Sequence, residues 1–281
     1  MSSPVLVEID ASATPVLRDP SAGLVAVDEP GYLRGDGVFE TLAVIRGRAH
    51  GLDEHLARLE ASAAAVDLVL PARSTWEAAV ALAVAEHDGV HDLSVRLVAS
   101  HAEPAARCTV RAEPTADASA LRRDGVAVVV LDRGYARGAQ EAAPWLLGGV
   151  KSTSGAVTRA ALREARRRGA DDVVWRTSDG QLLEGATSSL VLLSGGALLT
   201  PSAVGNGILD GTTVARVLEL AAQQGLATDR RELAVEALSG ADAAWLVSST
   251  RRAVPVRSVD GAPLRVDREL TDAFEQGLLA G

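Results

Sequence analysis

The chain has 281 residues, a net charge of −9, 47% hydrophobic residues and 23% charged ones. The acidic balance argues against a general nucleic-acid binder, and the lack of an 18-residue apolar run argues against a membrane span. The single cysteine, Cys108, excludes an intramolecular disulfide framework and a cysteine-rich metal site. The start, MSSPVLVEID, has no basic region and carries two acids, so it does not read as a secretory signal, and a cytoplasmic protein is the expectation. With aromatics at 3%, the core must be filled by Ala, Val and Leu.

In sequence order, VLVEI (5–9) and LVAV (24–27) read as short strands, GYLRGDG (31–37) as a glycine-rich turn and VFETLAVI (38–45) as a strand. Leu56, Leu59, Ala63 and Val66 recur at helical spacing, which predicts a helix over 53–66. A second helix follows over 75–87, where Ser74 and Glu77 have capping-box spacing. LSVRLVAS (93–100) and CTVRAEP (108–114) read as strands. The polar stretch 115–125 reads as a linker between a smaller domain, 1–114, and a larger one, 126–281. In the larger domain VAVVVLD (126–132) is a buried strand and 134–145 a loop of small residues. A helix spans 156–168, stopped by Gly169, and 173–184 forms a hairpin-like unit. Strands follow at 188–194, at ALLTP and at 243–249, and 254–261 is a strand plus a turn. A helix opening at Thr212 or Thr213 runs to Gln224, and a short helix ends the sequence from Asp267. Interleaved strands and helices define an α/β or α+β class. No GxGxxG follows the first strand, and no GxxxxGK[ST] or GxSxG occurs, so dinucleotide, P-loop and serine-hydrolase readings fail at their signature positions.

One count stands out. Of 28 Lys plus Arg residues, 27 are arginine and one is lysine, Lys151. A guanidinium stays protonated, whereas an ammonium can lose its proton and become a nucleophile. Lys151 is therefore a candidate for Schiff-base or general-base chemistry, beside the plainer reading of a surface lysine left by chance. Glu184 ends the apolar run QLLE; it is either a turn residue at a strand exit or a carboxylate facing the nitrogen of a pyridine ring. The Gly211-Thr212-Thr213 helix start can bind a phosphate or simply cap the helix. Ser248, Ser249 and Thr250 offer hydroxyls at a strand end, and Arg58 is either a solvated arginine or a phosphate clamp. His50, His55, His87, His91 and His101 have no metal-ligand spacing and read as structural or surface residues.

Together these residues resemble a known family. GDGVFET (35–41), EHLARL (54–59), PWLLGGVK (144–151), GADDVVW (169–175), DGQLLEGATSS (179–189), GILDGTT (207–213) and WLVSSTR (245–251) are, in order, similar to the motifs of fold-type IV pyridoxal-phosphate enzymes. The resemblance implies a two-domain α/β (α+β) fold with pyridoxal 5′-phosphate between the domains, and a homodimer whose partner completes each site. It implies that Lys151 carries the cofactor and that Glu184 pairs with its ring nitrogen. Arg58, Thr212, Thr213 and Thr250 would hold the phosphate, with Thr187 and Ser188 near the cofactor and Phe39 and Thr41 in the substrate pocket. No metal, nucleic acid or membrane partner is implied, only a small-molecule substrate.

Within the family the motifs most resemble aminodeoxychorismate lyases, which form pyruvate and the folate precursor 4-aminobenzoate. A class IV aminotransferase, for branched-chain or other amino acids, is the alternative. D-amino-acid aminotransferases carry a tyrosine where this chain has Phe39 and an arginine where it has Ser100, so that activity is disfavoured. Ser189 replaces an asparagine, Val214 a basic residue, and the segment after Lys151 (Ser-Thr-Ser-Gly-Ala) lacks an aromatic. Ser189 and Gly155 motivate a last alternative, an inactive scaffold of the family, against which the intact Lys151 and Glu184 argue.

Overall fold

A computed structural model describes residues 3–87 and 92–280. Packing divides the protein into two units, Met1–Ala116 with Val150–Gly155, and Asp117–Gly149 with Ala156–Gly281. The short segment that carries Lys151 thus packs with the first unit.

The first unit runs β1 (Val5–Ile9), β2 (Pro15–Arg18), α1 (Pro30–Arg34), β3 (Gly37–Ile45), β4 (Arg48–Ala49), α2 (Leu52–Ala64), α3 (Arg73–Ala85), β5 (Leu93–Ser100) and β6 (Arg107–Pro114). Its sheet has the order β2-β1-β6-β5-β3-β4, and every pairing is antiparallel. Alternation does the sorting, because successive side chains point to opposite faces. Val38, Leu42 and Val44 of β3 turn inward with Val95 and Leu97 of β5 and Val110 of β6. There they meet Leu56 and Leu59 of α2 and Trp76 and Val80 of α3. The opposite parity places Phe39, Thr41, Arg96 and Arg111 on the other face. Cys108 is buried, and burial pushes its thiol up to about 12. The thiolate is the reactive form, so the folded protein should resist thiol reagents at neutral pH; labelling as fast as that of the unfolded protein would contradict this.

The second unit contains α4 (Ser119–Asp124), β7 (Val126–Asp132), α5 (Ala139–Ala142), a 3-10 turn (Pro144–Leu146), α6 (Ala156–Arg167), β8 (Asp172–Arg176), β9 (Leu182–Gly185), β10 (Ser189–Ser194), β11 (Ala197–Pro201), α7 (Thr212–Gln223), β12 (Ala227–Arg231), α8 (Glu236–Ser239), β13 (Ala243–Ser248), β14 (Arg252–Val259), β15 (Ala262–Pro263) and α9 (Arg268–Ala280). The sheet order is β12-β11-β10-β13-β14-β7-β8-β9, with β15 paired to β14. One apolar cluster joins Val128, Val174, Leu182, Leu190 and Leu246. A second packs Val214 and Val217 of α7 and Phe274 of α9 on Val191 and Trp245. The Trp245 indole donates to the Thr271 hydroxyl at 2.8 Å, which satisfies its polar edge within that core. The mixed α/β class expected from the sequence is what the protein adopts.

Several local expectations change. Residues 24–27 form no strand, and Val25 and Val27 are exposed. The Ala26 N–H donates to the Glu29 carboxylate, and β2 is the strand that pairs with β1. The helix at 73 begins after Ala72 without any capping hydrogen bond from a side chain, so Ser74 and Glu77 form no capping box. α7 opens at Thr212 as expected, but the residue that caps it is Gly211 and not a threonine. β12, an edge strand whose five residues are all exposed, has no apolar alternation to announce it. His91 lies outside the described residues. Among the described residues no helix is long and apolar enough to cross a membrane.

Candidate active site

In the first unit the site is built around β3. Lys151 is tied at both backbone ends: its N–H donates to the Ser62 hydroxyl of α2 at 3.2 Å, and its carbonyl accepts the Phe39 N–H at 2.9 Å. Ser152 forms an isolated bridge with Val38, and the Thr153 hydroxyl donates to the Gly35 carbonyl at 2.8 Å. Gly35 permits this approach, since a Cβ there would lie 3.0 Å from the Ser154 hydroxyl, whereas one on Gly37 would lie 2.7 Å from the Ala99 carbonyl of the neighbouring strand β5. Gly35 therefore serves close packing against the lysine segment, and Gly37 close packing within the sheet.

Lys151 Nζ lies 4.8 Å from the centroid of the Phe39 ring, and the guanidinium carbon of Arg96 lies 4.1 Å from it. Two cations thus share one aromatic platform, a favourable contact for each. Arg96 pairs with Thr41 across β3–β5 and with Arg111 across β5–β6. Like charges directly opposite each other are unfavourable. Arg111 has a carboxylate of its own, Glu113 at 2.6 Å.

Arg58 of α2 faces Glu40 of β3 in a forked ion pair, Nε to Oε1 at 2.6 Å and Nη2 to Oε2 at 2.8 Å. His55 Nδ1 lies 2.7 Å from Oε2, and Glu40 is fully buried. Burial pushes its carboxyl up, but the Arg58 and His55 hydrogen bonds outweigh that and hold it at about 2. A planar guanidinium locked by two hydrogen bonds has a fixed direction.

In the second unit Glu184 lies near the end of β9. Its Oε2 accepts the Leu209 N–H at 3.4 Å, and its Oε1 faces Arg133 Nη1 at 3.5 Å. Arg133 is itself flanked by the rings of Trp175 and Tyr135, 5.6 and 5.9 Å from its guanidinium carbon. Ser188 begins the run into β10, and its buried hydroxyl has no hydrogen-bond partner. Thr187 accepts from Arg251 Nη2 at 3.4 Å. Thr212 and Thr213 open α7, whose first backbone N–H groups have no acceptor within the helix and lie at its positive end. Thr250 lies in the turn between β13 and β14.

The structure thus gathers Lys151, Arg58, Phe39 and Thr41 in the first unit and Glu184, Thr187, Ser188, Thr212, Thr213 and Thr250 in the second. Sequence reasoning passed over Arg96, Glu40, Arg133 and Arg251; it read His55 as a structural or surface residue, and the buried His55 beside Glu40 is a structural one. A signal for Arg96 existed: in LSVRLVAS it interrupts the outward face of an alternating strand with a charge.

This donor set fits pyridoxal phosphate. Within the second unit a buried, unpartnered Ser188 hydroxyl is an unmet polar demand of the kind a ligand satisfies, and that unit also has a carboxylate suited to a ring nitrogen and a helix start suited to a phosphate; the first unit has the protein's one lysine. The comparisons with known proteins agree. Residues 37–259 match the amino-transferase class IV family, and the chain belongs to that family of pyridoxal-phosphate enzymes. It is 38% identical over 277 residues, 92% of this chain and 95% of the relative, to a bifunctional aminodeoxychorismate lyase / D-amino acid transaminase of Mycobacterium tuberculosis. Its structure resembles the fold IV transaminase CpuTA1 of Curtobacterium pusillum, with a TM-score of 0.95 and 41% identity over 99% of this chain and 100% of that one. It also resembles the PLP-bound form of a hypothetical aminotransferase of Mycobacterium tuberculosis, with a TM-score of 0.90 and 35% identity over 99% and 98% of the two proteins.

Proposed function

We propose that this enzyme acts on primary amines that carry a carboxylate, with aminodeoxychorismate cleavage to pyruvate and 4-aminobenzoate as its first reaction and transamination of D-amino acids as a second. Arg96 on the Phe39 ring, whose centroid also lies 4.8 Å from Lys151 Nζ, carries the proposal. A guanidinium opposed by Arg111 gains from an incoming carboxylate, and it presents that carboxylate to the lysine that works on the amine-bearing carbon.

Bound pyridoxal phosphate supplies an aldehyde that condenses with amines and a protonated ring that stores electrons. Lys151 would hold the cofactor through its amine, and its Nζ is the base that would take the proton from the amine-bearing carbon of the substrate. Glu184 would accept the hydrogen bond of the ring nitrogen. Arg58, held by Glu40, would take the phosphate together with the Thr212–Thr213 helix start and Thr250. Thr187 and Ser188 add hydroxyls near the cofactor, and Thr41 lines the substrate side beside Phe39. In the lyase reaction, loss of that proton is followed by breaking of the C–O bond that joins the enolpyruvyl group to the ring. The enolpyruvyl group leaves, takes up a proton as pyruvate, and the ring becomes aromatic. Transamination would begin with the same proton removal by Lys151, so one set of residues would serve both outcomes.

The second reaction has its own support. The absence of an arginine at Ser100 disfavours D-amino acids, but Arg96, on the same strand and face, offers that charge. The Mycobacterium tuberculosis relative carries both activities in its name. We also propose a homodimer, since Tyr32 at 67% and Trp145 at 76% exposure are large apolar groups of the kind that contact surfaces cover; gel filtration at the monomer mass would refute this.

Supplying aminodeoxychorismate should yield pyruvate and 4-aminobenzoate in equal amounts, and a D-amino acid with a 2-oxo acid should yield the exchanged pair. Formation of neither set of products overturns the proposal. Arg96→Ala should raise KM for carboxylate substrates roughly 10- to 100-fold, the worth of about 1.5–3 kcal/mol for a hydrogen bond to a charged group. An amine lacking the carboxylate should be handled equally by both forms, and equal losses on both substrates would remove Arg96 from this role.

A further inference from the structure

Thr187 and Thr250 stand on different loops of the second unit, one after β9 and one between β13 and β14. One residue ties those loops together. Arg251 Nη1 donates to Asp172 Oδ2 at 2.9 Å, and its Nη2 donates to the Thr187 hydroxyl at 3.4 Å. Asp172 opens β8 and is 2% exposed. Its other oxygen accepts the N–H of Val173 at 2.8 Å. The carbonyl of Arg251 in turn accepts from Arg122 Nη1 at 3.4 Å.

A carboxylate this deeply buried needs its cation, so Asp172 acts as a fixed anchor. Because a guanidinium is planar, fixing one nitrogen fixes the direction of the others. The second nitrogen then meets Thr187, and the backbone of Arg251 carries Thr250 immediately before it. We propose that Arg251, anchored by Asp172, is a positioning residue for the cofactor: it sets the Thr250 turn for the phosphate and aims the Thr187 hydroxyl at the same time. The charge of Arg251 is spent on Asp172, so its effect on the phosphate passes through Thr250 and the turn rather than through contact. This rests on the reading of Thr250 as a phosphate ligand.

The test compares pyridoxal phosphate with pyridoxal, which shares the ring and aldehyde but lacks the phosphate. Both are titrated into the full-length protein and its variants, with binding followed by visible absorbance. Arg251→Met and Asp172→Asn should weaken pyridoxal phosphate at least tenfold while changing pyridoxal less than threefold. Arg251→Lys keeps the buried charge paired and so preserves folding, but a single ammonium cannot span Asp172 and Thr187. It should lower the phosphate preference several-fold without lowering the melting temperature. A wild-type preference in Arg251→Lys, or equal weakening of both ligands in the other variants, overturns the proposal. Thr250→Val separates the two claims. If it leaves the preference unchanged, the phosphate reading of Thr250 fails and the inference falls with it. If it lowers the preference while the Arg251 variants do not, only the positioning role fails.

Discussion

Lys151→Ala should cut turnover of every amine by roughly 100- to 10,000-fold, the range lost with general acid–base catalysis, and should remove the visible absorption of bound cofactor. No neighbour can take over. The other 27 of the 28 lysine and arginine residues are arginines, whose guanidinium stays protonated and cannot act as an amine nucleophile. The hydrogen bonds to Ser62 and Phe39 use the backbone of Lys151 and remain after the substitution, so the fold should survive, and circular dichroism should match the parent. Borohydride reduction of the loaded parent should mark the peptide around residue 151 and no other. Labelling of another residue, or a coloured and active Lys151→Ala protein, would refute the chemistry assigned here.

The second large effect is expected at Glu40. Its carboxyl sits at about 2 in the folded protein against an ordinary 4.5. The unfolded protein therefore binds a proton first as the pH falls. The stabilisation is complete above 4.5, declines as acid is added, and is gone once the pH has fallen through about 2. A shift of that size corresponds to about 3 kcal/mol. Glu40→Gln should cost about that much at pH 7, a fall in Tm of roughly 10 °C for a domain of this size. It leaves Arg58 half-buried without its carboxylate, a strongly destabilising kind of change. At pH 3 the gap between parent and variant should narrow. Melting curves of both proteins across pH 2.5–7 measure this directly, and parallel curves would show that the ion pair contributes nothing. The same variant should bind pyridoxal phosphate less tightly, because Arg58 loses the fork that directs it.

Much of the fold was legible in the periodicity. The stripe Leu56, Leu59, Ala63 predicts α2, and the alternation of LSVRLVAS predicts β5; both are formed. LVAV at 24–27 failed because four apolar residues carry no information about a pairing partner, and β1 is flanked by β2 and β6 instead. ATDRR failed in the other direction. It pairs with β11 along one edge and buries none of its residues, so its strand character is a backbone property with no trace in residue polarity.

The site divides along a similar line. A lone amine among guanidines and a glutamate closing an apolar strand are chemical facts of the residues themselves, and they are as plain in the sequence as in the folded protein. The amino-acid order alone determined the cofactor chemistry and the family. What only the tertiary structure decided is which charges meet. Glu40 and Arg58 are 18 residues apart, and Arg251 reaches Asp172 across 79. Arg96 comes to lie on Phe39 because of the register of β3 on β5. Alternation tells which face a residue takes, whereas an ion pair or a cation on a ring exists only within a few ångströms, and strand register and helix packing set that distance.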